Sequence, residues 1–286
     1  MAGGTGVNTV KRRVALLESM CSMSDDYAED DQKVKFEMIP DKFHSLKDVS
    51  DAIKNVGVKE CSLIFGIDYT MSNQMQGKKT YDGLSLHDIQ PSRSNPYQEV
   101  ICILGETLEP FDDDGIIPAY GFGDRTVKDK SVFPIKKNGD CDGFMEVLKQ
   151  YTDVTPTIKL GGPTNFAPII RQAVDIVKEK RQYHILVIVA DGQVTNEEET
   201  IKAIVEASEF PLSIVVIGVG DGPWDMMKDF DDNLPERKFD NFQFVGFHQA
   251  KQGVRNPDVA VALAALMEIP DQYMCIKKLR LMEKLL

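Results

Sequence analysis

Three apolar runs organise the chain: Cys61-Ser62-Leu63-Ile64-Phe65-Gly66-Ile67, Tyr183-His184-Ile185-Leu186-Val187-Ile188-Val189-Ala190, and Leu212 to Val219. Each lacks polar alternation and is rich in branched side chains, the pattern of a strand buried on both faces. Between them the spacing turns helical. Leu46, Val49 and Ile53 line one face of a segment from Ser45 to Asn55. Asn95 caps and Pro96 starts a second helix, whose Val100, Leu104 and Leu108 recur at i, i+4, i+8. Thr195 and Glu198 are spaced as a capping box ahead of Ile201, Ile204 and Val205. Gly115 to Tyr120 and Ser131 to Ile135 read as further strands, and Phe242 to Phe247 as an alternating sixth. Asn256-Pro257 opens a last helix through Met267. This order predicts an α/β fold with a doubly wound, mostly parallel six-stranded sheet and helices on both faces, Rossmann-like in layout.

The ends of the buried strands carry the candidate chemistry. The first run ends in Asp68-Tyr69-Thr70-Met71-Ser72. If the backbone stays extended, positions 68, 70 and 72 share one side of it. One carboxylate and two hydroxyls are hard oxygen donors, suited to Mg²⁺ or Mn²⁺ and poorly suited to Zn²⁺. Thr164 sits at the tip of Leu160-Gly161-Gly162-Pro163-Thr164-Asn165-Phe166, and the second run ends in Asp191-Gly192. Open parallel sheets gather ligands beyond the carboxyl ends of their strands. Asp68, Thr70, Ser72, Thr164 and Asp191 are therefore expected to form one site for a single divalent ion, Mg or Mn. The competing local reading makes Thr164 or Asn165 an N-cap and Asp191 a turn residue. Gly121-Phe122-Gly123-Asp124 and Gly218-Val219-Gly220-Asp221 both close strands with the same tetrad. Neither opens a helix as a nucleotide fingerprint requires, so both read as strand-end turns at the rim of the site.

At these residues the chain resembles the von Willebrand factor A domain and its metal-ion-dependent adhesion site, with Thr70 in place of the commoner first serine. The resemblance is closer to the copines and to the copine-like part of plant RING-type ubiquitin ligases, the RGLG group. It rests on Asn95-Pro96-Tyr97, Tyr120 to Asp124, Gly162 to Ile170, Pro211 to Ile214, Gly218 to Trp224 and Phe239 to Phe244. It implies a protein-interaction module in which Thr70 and Ser72 touch the ion and Asp68 and Asp191 orient coordinated water. Thr164 would alternate between direct and water-mediated contact. An open coordination position would accept a Glu or Asp of a partner protein, the ion inverting the local field of an acidic chain. A related implication is a substrate-recognition or scaffold part of a ubiquitin ligase or copine complex.

Composition narrows the partners. The 286 residues suit one α/β domain with tails: an acidic leader over 1–32, the domain over 33–275 and a C-terminal tail over 276–286. A formal net charge of -12 disfavours nucleic acid and direct binding to an anionic membrane, both of which need basic patches. No stretch reads as a bilayer span or a secretory signal, and Ala2 departs from the Met-Gly start of a myristoylated chain. The five cysteines (Cys21, Cys61, Cys102, Cys141, Cys275) are scattered, which fits a reducing, cytoplasmic setting and offers no RING-type zinc pattern. The leader is too short for copine C2 domains. Asp112-Asp113-Asp114 and Asp229, Asp231 and Asp232 lack calcium-loop spacing and read as solvated surface.

The chain is not expected to be an enzyme. It has no Gly-x-Ser-x-Gly, His-Glu-x-x-His or P-loop, and His184 reads as a satisfied strand histidine. The best enzymatic rival is an aspartyl-phosphate phosphatase with Asp68 as nucleophile. That chemistry wants an acid/base two residues on, where Thr70 stands, and a hydroxyl with an ordinary pKa cannot serve near neutrality. Around the metal, the inserted segment with Lys78, Lys79 and Arg93, together with Trp224, is expected to form the partner-binding rim; the competing reading packs Trp224 on the following helix with Met226 and Met227.

Overall fold

The computed structural model describes residues 44–285 except 56, 113 and 193. The expected acidic leader therefore lies outside the described residues. Helix α1 (Leu46–Asn55) leads into β1 (Ser62–Asp68); α2 (Pro96–Leu108) follows a long polar segment. Then come β2 (Ile116–Ile117), β3 (Ala119–Phe122), β4 (Val132–Pro134), β5 (Cys141–Asp142), α3 (Gly143–Val154) and α4 (Ala167–Lys180). The remainder alternates: β6 (His184–Ala190), α5 (Glu197–Ala207), β7 (Leu212–Gly218), α6 (Asp225–Asn233), β8 (Phe242–Gly246), α7 (Phe247–Ala250), α8 (Pro257–Leu266) and α9 (Ile269–Lys278). Six strands form one sheet in the order β4-β3-β1-β6-β7-β8, parallel throughout except for β4, which runs antiparallel to β3.

The three apolar runs become the three central strands because both their faces are covered. Leu63, Phe65, Ile67, Ile185, Val187, Val189, Val215 and Ile217 point into a core closed by α1, α2, α3, α8 and α9. Their alternates, Ile64, Leu186, Ile188, Ile214 and Val216, point into a second core closed by α4, α5 and α6. Period-two side chains on a twice-covered sheet leave no room for polar alternation. The sheet reverses its winding between β1 and β6, whose carboxyl ends carry Asp68 and Asp191. This is the switch point of a doubly wound sheet.

Local signals held with small shifts. Asn95 caps α2 in a full capping box with Gln98, and Pro96 is its first residue. The cap of α5 is Asn196, whose side chain accepts from Glu199 N at 3.4 Å, rather than the Thr195–Glu198 pair. Three glutamates, Glu197, Glu198 and Glu199, then fill the first turn, where the helix dipole favours them. The pairing of β2 with β5 was not legible, since two-residue strands carry no periodicity.

The C-terminal end bears on two sequence expectations, the absence of a bilayer span and the domain boundary. The helical stretch Pro257–Lys278, interrupted at Met267 and Glu268, is 22 residues long and apolar enough in composition to cross a bilayer. Of that apolar window 67% is buried in the protein, so its composition is that of core helices packed on the sheet. The boundary drawn at residue 275 also falls inside α9. Ile276 and Leu281 are buried in the core, so packing against the sheet continues past it.

Of the acidic clusters, Asp114 is an exposed residue that caps Ile116 N at 3.0 Å and pairs with Lys180 at 3.7 Å. Asp231 is not merely solvated, because it accepts from Phe244 N of β8 at 3.1 Å. Asp113 and the side chain of Asp232 lie outside the described residues. The four described cysteines are free thiols.

Candidate metal centre

Beyond Ile67 the chain stays extended only through Thr70, and Met71–Gln74 then tightens into a 3-10 turn, so it is the turn and not a continued strand that brings Ser72 beside Thr70. Thr70 Oγ1 lies 2.9 Å from Ser72 Oγ, which donates to Asp191 Oδ1 at 3.0 Å. Asp68 Oδ1 accepts from Thr70 N at 2.8 Å. The turn is strapped to the Thr164 loop: Gly161 N donates to the Tyr69 carbonyl at 3.1 Å and Met71 N to the Gly161 carbonyl at 2.8 Å. Thr164 itself is buried, and its carbonyl accepts from Thr195 N at 2.8 Å. Asn165 makes the turn into α4, its Oδ1 accepting from Ala167 N at 3.0 Å.

Two glycines permit this crowding. A Cβ on Gly123, whose φ is +75°, would lie 2.5 Å from Thr70 Cγ2 and 3.4 Å from Asp68 Oδ1. A Cβ on Gly220 would lie 2.5 Å from the Asp191 carbonyl. Both Gly-x-Gly-Asp tetrads thus close over the site, where only a hydrogen fits.

The electrostatics single out the two carboxylates. Asp68 and Asp191 are fully buried, and Asp68 Oδ2 and Asp191 Oδ2 have no hydrogen-bond partner. Burial pushes both carboxyls above their ordinary range, and the charge of Asp68 raises Asp191 further. Buried, unpaired carboxylate oxygens are costly unless a cation meets them. Two carboxylates and a hydroxyl pair fit a hard divalent ion. Among the described residues no group of three or more His, Cys, Asp or Glu offers a competing metal site.

A pH dependence follows. Because both folded-state pKa values are raised, the stability these groups contribute is full below the ordinary carboxylate range and is lost as pH rises through the raised values. Chelator-treated protein should therefore melt lower at about pH 8 than at about pH 5. A divalent ion held by these residues would need both carboxyls ionised, so any Mn²⁺ uptake should run oppositely, tightening by roughly tenfold or more over the same interval. Thermal melts and titration calorimetry at the two pH values check both signs.

The residues expected at the rim stand in different settings. Trp224 is 6% exposed and packs in the core under α6, 5.4 Å from the Phe244 ring, so it does not wall the site. Lys78 and Lys79 are exposed on a turn docked against the loop after β7, where Asp221 accepts from Lys79 N at 3.0 Å and Thr80 N at 3.0 Å. Arg93 stacks over Tyr81 at 4.3 Å, pairs with Asp82 at 2.5 Å and shares with Lys79 an open groove of about 410 Å³. The sequence did not point to Met71 and Met75, 49% and 56% exposed, on either side of Ser72. Nor did it point to Asn73, His87 and Tyr97, which support the loop from beneath. His184 is buried in β6 and bonded to the Gln182 carbonyl at 3.0 Å, a satisfied histidine.

A doubly wound α/β domain with an oxygen-donor set at its switch point is the class that fold and site define. The copine family model matches residues 85–285, and the chain belongs to the copine family. That span holds Thr164 and Asp191; Asp68, Thr70 and Ser72 precede it. Copine family protein 2 of Caenorhabditis elegans is 57% identical over 245 residues, 84% of this chain and 3% of that protein. Copine family protein 1 of the same organism is 54% identical over 244 residues, 84% of this chain and 22% of its own length. E3 ubiquitin-protein ligase RGLG4 of Arabidopsis thaliana is 48% identical over 271 residues, 88% of this chain and 67% of that protein. The chain thus spans a small part of the two worm relatives. Among solved structures, manganese-loaded Plasmodium vivax TRAP protein aligns with a TM-score of 0.45 at 11% identity, covering 70% of this chain and 74% of that one. A likeness at that level carries no argument, and the fold stands on the strand order above.

Proposed function

We propose that this chain is a metal-dependent protein-interaction module of copine type. Asp68, Thr70, Ser72, Thr164 and Asp191 would hold one Mg²⁺ or Mn²⁺, and a partner would supply a Glu or Asp to complete its coordination. The observation that carries this is the pair of buried, unpartnered oxygens, Asp68 Oδ2 and Asp191 Oδ2, beside the Thr70–Ser72 hydroxyl pair. When bound, the ion supplies a positive charge that a partner carboxylate can meet. This chain's residues do the rest: the two carboxylates formally balance the ion, the neutral hydroxyls add no further charge that would repel a partner carboxylate from an open coordination position, and Met71 and Met75 offer adaptable apolar contact beside it. Lys79 and Arg93 would steer an acidic ligand toward that edge.

The kinship with plant RGLG ligases favours a second reading of the same surface, as the substrate-recognition part of a larger ligase. Neither reading gives this chain a catalytic step of its own, and both suit a cytoplasmic protein.

The deciding experiment is capture of protein partners on the immobilised chain with Mg²⁺, with Mn²⁺ and with chelator, followed by competition with a Glu-rich peptide. Partners retained only with metal and displaced by the peptide support the proposal. Partners retained equally in chelator overturn it.

A further inference from the structure

The ladder between β1 and β6 ends at Ile67↔Val189, and beyond it side chains hold the backbone of the metal-facing loop. The Asp68 carbonyl accepts from His87 Nε2 at 2.7 Å and from Asn73 Nδ2 at 3.2 Å. A carbonyl only accepts, so Nε2 carries the hydrogen and Nδ1 is the acceptor. The Tyr151 hydroxyl therefore donates to Nδ1, at 2.8 Å, and itself accepts from Asn95 Nδ2 at 3.0 Å. Asn95 is the cap of α2, its Oδ1 accepting from Gln98 N at 2.9 Å. The Tyr97 hydroxyl donates to Asn73 Oδ1 at 2.7 Å, and Asn73 Nδ2 also reaches the Thr70 carbonyl at 3.1 Å. The His87 ring lies stacked between Tyr69 at 4.7 Å and Tyr97 at 4.1 Å.

One buried hydrogen-bonded chain thus runs from the first turn of α2 to the backbone at positions 68 and 70. We propose that His87, Asn73 and Tyr97 are positioning residues that set the metal affinity of the site and tie it to the seating of residues 73–97. This rests on the metal reading above. None of the three has a side-chain atom among the metal donors. They act by fixing where the Asp68 and Thr70 side chains start, and a donor displaced by a fraction of an ångström loses affinity without losing its chemistry. Outer-shell partners of metal ligands commonly carry about 10- to 100-fold of affinity in this way.

The test compares Mn²⁺ titration of wild type, His87→Phe and His87→Gln, with circular dichroism confirming that each is folded at the assay temperature. Phenylalanine keeps the stacked ring and removes both hydrogen bonds; glutamine restores a donor and an acceptor. The expected result is a roughly tenfold or larger loss for His87→Phe and recovery of most of it in His87→Gln. Wild-type affinity in His87→Phe overturns the inference alone, as does equal weakness of the two variants, since a restored donor and acceptor would then recover nothing. Wild type that takes up no Mn²⁺ overturns the metal reading and this one with it. If His87→Phe fails to fold, Tyr97→Phe, which loses a single hydroxyl, decides between the same outcomes.

Discussion

Asp68→Ala is expected to abolish the proposed Mn²⁺ and Mg²⁺ binding and to leave the chelator-treated domain as stable as wild type or more so. The two halves of this expectation have one cause. The carboxyl is buried at the carboxyl end of β1 with Oδ2 unpartnered, so in the absence of a cation it is a burden. Truncation gives up one hydrogen bond from Thr70 N, about 1 kcal/mol, and removes a buried ionisable group whose own desolvation costs more. It also relieves Asp191 of a neighbouring charge. Calorimetric titration with melts in chelator and in Mn²⁺ measures both halves. Unchanged Mn²⁺ affinity would place the metal elsewhere. The same two preparations decide the enzymatic rival: hydrolysis of a generic phosphate ester that appears with Mg²⁺ in wild type and vanishes in Asp68→Ala would replace the interaction module by a phosphatase.

The central strands were legible because each is buried on both faces, which forces an unbroken apolar run. Their ends were legible because polar residues after such a run, as at Asp68 and Asp191, have few places to go but the sheet edge. The α2 cap was legible because Asn95-Pro96 with Gln98 is local chemistry. What stayed hidden depends on contacts distant in sequence. His87 in a polar loop carries no periodic signal; its role arises from Tyr151, 64 residues away, and from a carbonyl 19 residues back. The exposed Met71 and Met75 were hidden for the opposite reason, since apolar residues beside a buried strand read as core. The acidic tetrads were half legible: as turns from their glycines, but not as clamps, since Asp221 meets Thr80 from 141 residues away.

Trp224→Ala should unfold the domain about 10 °C earlier while leaving Mn²⁺ affinity nearly unchanged. The indole lies over Gly218, the last residue of β7, where a Cβ would meet its ring atoms at 2.8 to 2.9 Å. Met227, Phe230 and Phe244 belong to the same core. Glycine at 218 is thus the complement of tryptophan at 224: the strand gives up a side chain so that the ring can lie on the backbone. Removing a buried ring of this size typically costs about 3–5 kcal/mol, a large part of the roughly 5–15 kcal/mol that holds a domain together. A rim residue would behave otherwise. Lys79→Ala and Arg93→Ala, at exposed positions, should change stability by no more than about 0.5 kcal/mol and show their effect on an acidic ligand instead. Emission separates the two assignments independently. A core indole emits at short wavelength and stays unresponsive when Mn²⁺ and a Glu-rich peptide are added. A ligand-dependent change in Trp224 emission, with a melting temperature unaltered in the alanine variant, would return this residue to the rim.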